Sequence, residues 1–122
     1  MEVLIHFLAG DDLSIQSHYD QKGYREDVVI EIDRLFYEVY FFLDDMANEI
    51  RDDGFFSYPG LIILDEIKYD KIYNAINKLI DLNYFDYFAG KEEMPINNRF
   101  IDTWRTAWPP FTLEDLRTYK LR

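Results

Sequence analysis

The sequence contains no cysteine. Disulfide staples, a thiolate nucleophile and cysteine-type zinc or iron–sulfur centres are thereby excluded. It also lacks any run of about 18 apolar residues, the length a membrane-spanning helix requires. Its opening apolar stretch, Val3 to Ala9, follows Glu2 rather than a basic segment and is interrupted by His6, so it does not read as a secretory leader. A cytoplasmic location is the resulting expectation. Positive charge is scarce: 13 Lys and Arg stand against 24 Asp and Glu, for a formal net charge of −11. A field of that sign repels a phosphate backbone and an anionic lipid surface, so neither nucleic acid nor a membrane is expected as partner. Histidine is confined to His6 and His18, and no H-E-x-x-H, G-x-S-x-G, G-x-G-x-x-G or phosphate-loop pattern occurs.

What is present is apolar and aromatic. The 122 residues are 48% hydrophobic, enough for one continuous core in one domain spanning residues 1–122. Ten Phe, ten Tyr and two Trp are more rings than a core of this size needs, which suggests that some line a binding surface. The acidity is lopsided. Residues 1–60 carry 4 bases and 14 acids (4 − 14 = −10), and residues 61–122 carry 9 and 10 (9 − 10 = −1).

Glu2 to Ala9 reads as a buried strand closed by Gly10-Asp11-Asp12, and residues 10–24 as a polar loop. From Asp27 the period becomes two on either side of Asp33-Arg34. A two-residue turn there sets Ile32 opposite Leu35, Ile30 opposite Tyr37 and Val28 opposite Val39 on one face. Glu31, Phe36, Glu38 and Tyr40 fall on the other face. Leu43 to Asp53 has a helical period (Leu43, Met46, Ala47, Ile50), with Gly54 placed as its C-terminal cap. Leu61-Ile62-Ile63-Leu64 fits an inner strand covered on both faces. A second helix follows from Tyr69 to Leu82, its stripe formed by Tyr69, Ile72, Tyr73, Ile76, Leu79 and Ile80. Thr112-Leu113-Glu114-Asp115 resembles a capping box that starts a short last helix. The order β, ββ, α, β, α predicts an α+β fold: a small mixed or antiparallel sheet of about four strands, two main helices packed on it and a short C-terminal helix.

For chemistry, the nearest approach to a metal-nuclease pattern is Glu66-Ile67-Lys68, with Asp52 or Asp53 upstream. Such a nuclease also needs a basic track for its substrate, so a polar strand end is the better reading of these residues, and no catalytic, cofactor or metal residue is assigned. The predicted acidic helix says more. Asp44 and Asp45 suit its N-terminus, but Asp52 and Asp53 oppose the dipole at its C-terminus, and Asp45 and Glu49 form a like-charge i,i+4 pair. Charge that works against local stability points to use elsewhere. Asp44, Asp45, Glu49, Asp52 and Asp53, with Glu31, Glu38 and Tyr40, therefore form the expected partner-binding set. Trp104 and Trp108-Pro109 are expected to anchor the irregular tail.

An acidic surface with interspersed rings suits tight binding of a basic protein, charge steering the encounter and rings supplying the buried contact. Together with Gly54-Phe55-Phe56-Ser57-Tyr58-Pro59-Gly60-Leu61-Ile62-Ile63-Leu64-Asp65-Glu66-Ile67 and Asn74-Ala75-Ile76, under a quarter of the chain, this pattern resembles immunity proteins of bacterial polymorphic-toxin and contact-dependent growth inhibition systems. The resemblance implies a cytoplasmic inhibitor that binds a toxin domain, often a nuclease; the expectation is therefore a non-enzymatic protein, a monomer or weak homodimer, that neutralises a basic toxin domain. The alternative is an adaptor or regulatory module with another protein or a small ligand.

Overall fold

The computed structural model describes residues 1–10, 13–46, 59–95 and 109–119. Among these residues five strands form one open mixed sheet in the order β4-β3-β2-β1-β5. They are β1 (Val3–Phe7), β2 (Tyr24–Ile32), β3 (Leu35–Leu43), β4 (Leu61–Leu64) and β5 (Phe111–Thr112). β3 and β4 run parallel, and every other neighbouring pair is antiparallel. The helices are α1 (Leu13–Lys22), α2 (Tyr69–Asp81) and α3 (Leu113–Arg117), with a 3₁₀ turn at Tyr84–Tyr87. Asp44 to Met46 begin a further helical turn. The rest of the helix expected to Asp53, its Gly54 cap, the Phe55–Tyr58 turn, Trp104 and Trp108 lie outside the described residues.

The central hairpin has the register that its period-two pattern demands: Ile32 pairs with Leu35, Ile30 with Tyr37 and Val28 with Val39. Asp33 (φ 48°) and Arg34 (φ 71°) both occupy the left-handed region, which makes the turn the primed type that matches strand twist. Asp33 tolerates this and its carboxylate accepts a 3.0 Å bond from the Glu2 amide. Arg34 has no such compensation. Arg34→Gly is therefore expected to raise stability by about 0.5–1 kcal/mol, the relief of a left-handed side chain less the added chain entropy, read as a higher urea midpoint.

One face of the sheet carries the core. Val3, Ile5, Phe7, Val28, Ile30, Val39 and Phe41 pack against Tyr69, Ile72 and Ile76 of α2 and Leu116 of α3. The α2 stripe is the one read from the sequence. So is the α3 start: Thr112 Oγ1 accepts from the Asp115 amide (3.0 Å), and the Asp115 carboxylate accepts from the Thr112 amide (2.9 Å).

Three expectations are corrected. Residues 10–24 are no polar loop, since α1 occupies most of them; it buries Tyr19 while much of its surface stays wet, so its apolar period is faint. The sheet has five strands rather than about four, because Phe111 and Thr112 pair with Ile5 and Leu4. Among the described residues β4 is an edge strand, not an inner one, and Ile63 is 51% exposed. A short apolar run does not by itself tell an edge from a centre.

β2 also holds an irregularity that alternation did not foretell. A bulge between Arg25 and Val28 sets two residues of β2, Glu26 and Asp27, against one of β3, Tyr40, so that Arg25 and Val28 both face the core. Arg25 and Asp27 are 1% and 0% exposed. Arg25 Nε and Nη2 donate to the two Asp27 carboxylate oxygens at 2.7 and 3.1 Å, and Nη2 also donates to the Gly10 carbonyl at 2.9 Å. The guanidinium lies 4.5 Å from the centre of the Phe7 ring and 4.8 Å from that of Tyr19.

Candidate binding surface and edge cleft

The second face of the sheet carries the polar and aromatic residues that strand alternation directs there. Glu31 of β2 and Phe36, Glu38 and Tyr40 of β3 share it, as do His6 of β1 and Leu61 and Ile63 of β4. Leu8 and Val29 are buried on this side beneath Phe36, Ala9 and Met94. Glu31, Glu38 and Tyr40 are thus brought together, but not equivalently. Glu31 is largely buried at 16% exposure, its Oε1 2.9 Å from His6 Nε2 on the adjacent strand. The Glu38 side chain is 40% exposed, and Lys91 lies 3.4 Å from it. Asp44 and Asp45 follow the end of β3 and are exposed. Glu49, Asp52 and Asp53 lie outside the described residues.

Beside Glu38 the outer edge of β3 opens into a cleft. Main-chain groups along this edge point outward at alternate residues. Phe36 exchanges both its bonds with Lys91 (2.8 and 2.9 Å), and the Tyr40 amide donates to the Gly60 carbonyl (2.9 Å). Glu38, midway between them, turns its N–H and C=O toward the gap separating Gly60 from Lys91. The resulting cleft of about 250 Å³ is lined by Phe36, Tyr37, Tyr40, Tyr84, Phe85 and Phe88, with Glu38 and Lys91 as its charged groups. The rings brace one another: Tyr37 and Phe85 lie 5.3 Å apart, Tyr84 and Phe88 4.8 Å. Partial burial raises the Tyr84 phenol above its ordinary pKa, so it remains a neutral donor at physiological pH. Gly60 sits at φ +80°, and a Cβ there would approach the Glu38 carbonyl to 2.5 Å. Only glycine lets the chain turn into β4 this close to the cleft.

Glu66 and Lys68 lie elsewhere, at the start of α2, and pair with each other at 2.7 Å in solvent. The bond that Lys68 donates to Glu66, with the charge of that carboxylate, raises the Lys68 pKa, the opposite of the shift that makes lysine a base near neutral pH. Asp65 is held below the usual carboxylate range by its bond from Lys71. Among the described residues no three His, Cys, Asp or Glu gather into a metal-holding group, and no helix is long and apolar enough to cross a membrane.

The cleft is not visible in the sequence because residues 84–91, far along the chain, supply five of its twelve lining residues. Phe36, Glu38 and Tyr40 were legible as one face; their meeting with Phe88 and Lys91 was not. No protein-family model matches this chain, and no curated protein or solved structure was found to match it.

Proposed function

We propose that the chain is a toxin-neutralising immunity protein that receives a basic protein domain on the second face of its sheet, around Glu38, Tyr40, Asp44 and Asp45. What supports this reading is the ring-lined cleft beside Glu38, with exposed Asp44 and Asp45 following the end of the same strand. Glu38, Asp44 and Asp45 supply a steering field, and the cleft supplies a desolvated pocket for an anchoring side chain. Glu31, bonded to His6, orients the surface more than it attracts a partner. A second reading, a regulatory module that takes a small ligand, draws on the same 250 Å³ cleft, whose lining is ring-rich with few charges.

Affinity purification from the native host is expected to recover a basic domain that arrests growth when expressed alone and is harmless beside this chain. Recovery of a harmless partner would sink the immunity reading. For the recovered pair, reversing Glu38, Asp44 and Asp45 to Lys together is expected to slow association by about tenfold to a hundredfold and to flatten its dependence on salt. An unchanged association rate in surface plasmon resonance would move the interface off this face.

A further inference from the structure

We propose that two copies of this chain associate through their β4 edges, antiparallel across a two-fold axis, to make one continuous ten-stranded sheet. The inference does not rest on toxin binding: it uses the outer edge of β4, although Gly60 and Tyr84 also border the cleft.

The two edges of the sheet are unlike. β5 has two residues, too short to template another chain, whereas β4 presents four apolar residues with no lysine, proline or bulge to blunt it. Because the Gly60 carbonyl accepts from Tyr40, the even positions of β4 face β3, and Leu61 and Ile63 direct their N–H and C=O outward. Those outward groups meet in an antiparallel pair when Leu61 of each copy lies opposite Ile63 of the other. Ile62 then lies opposite Ile62 of the second copy. The match is apolar on both faces. On the α2 side Ile62 borders an open apolar groove of about 210 Å³ with Leu61, Ala75, Leu79 and Tyr84, which the Ile62 pair would cover. On the other side the exposed Ile63 meets Leu61 of the second copy.

Charge fits the same register. Lys78 borders the groove beside Leu61 and Ile62 and has no ion pair among the described residues. Asp65, 71% exposed, follows directly on Leu64; Lys71 of its own chain donates to its Oδ2 at 3.3 Å, which leaves Oδ1 for a second cation. With Gly60 opposite Leu64 of the second copy, each Lys78 comes alongside Asp65 of the other chain, twice per dimer by symmetry. The net charge of −11 on each copy opposes association at long range. At 0.15 M salt the Debye length of about 8 Å mutes that repulsion more than it weakens a contact pair.

Sedimentation velocity on the full chain at 0.15 M salt is expected to show twice the 14.8 kDa monomer mass at high concentration, reverting on dilution. Ile63→Lys is expected to weaken the dimer at least tenfold with an unchanged far-UV spectrum, and Lys78→Glu to weaken it severalfold. The exchanged double variant, Lys78→Glu with Asp65→Lys, restores it. A monomer at every concentration overturns the proposal, as does a dimer that survives Ile63→Lys. Failure of the charge exchange to restore association overturns it as well; because Asp65→Lys also removes the bond from Lys71, that single variant is first checked for an unchanged far-UV spectrum and urea midpoint.

Discussion

Asp27→Ala is expected to cost about 3–5 kcal/mol, a large share of the roughly 5–15 kcal/mol that holds a domain of this size together. The melting temperature should fall by roughly 10–20 °C. The cause is the partner left behind. Burial is the largest influence on Arg25 and acts to lower its pKa, but the charge and hydrogen bonds of Asp27 outweigh it and the value is raised. Without Asp27 the guanidinium stays charged, closed off from water and neutralised by nothing, while the Ala9 amide loses its 3.0 Å acceptor. Replacing both members, as in Arg25→Met with Asp27→Leu, removes the stranded charge along with the pair. That double variant is expected to regain most of the loss, because a well-packed apolar substitute often equals a buried ion pair. A double variant no more stable than Asp27→Ala in thermal and urea unfolding would contradict this account.

Phe41→Ala should cost a comparable 3–5 kcal/mol for a different reason. Phe41 is fully buried in β3, which lies between β2 and β4, and its backbone partners are Arg25 on one side and Ile62 on the other. A regular strand flanked by neighbours on both sides cannot collapse into the space, so the lost contacts are not recovered. Phe36, on the opposite face and only half-buried, supplies the internal comparison. Phe36→Ala is expected to cost less than half as much, measured by the same urea midpoints.

The hairpin was readable because its signal is local and doubly written: alternation on both strands and a turn of fixed length admit only one register. The last helix was readable because a capping box is four residues long. α2 was readable because its apolar stripe runs unbroken over three turns. The features that escaped depend on distant segments. The four residues of β4 are equally apolar at an edge or a centre. β5 is a strand only because β1 lies beside it. Arg25 and Asp27 look like surface charge until the bulge turns them inward beneath Tyr19. Of the candidate surface, Glu31, Glu38 and Tyr40 were assigned to one face by period two alone, whereas the cleft at Glu38 needed the return of residues 84–91 to the edge of β3.

The pairing of Leu4 with Thr112, and of Ile5 with Phe111, bears on how the chain acquires its structure during synthesis. Gln16 is likewise joined to Tyr119 by a 2.7 Å bond. The β2–β3 hairpin can close within microseconds of leaving the ribosome, since its contacts are a few residues apart. β1 emerges first yet waits for its outer neighbour until more than a hundred further residues have been made, which at 5–20 residues per second is roughly 5–20 s. For that interval β1 keeps one open edge, and the acidity of residues 1–60 works against contact between neighbouring chains on the polysome.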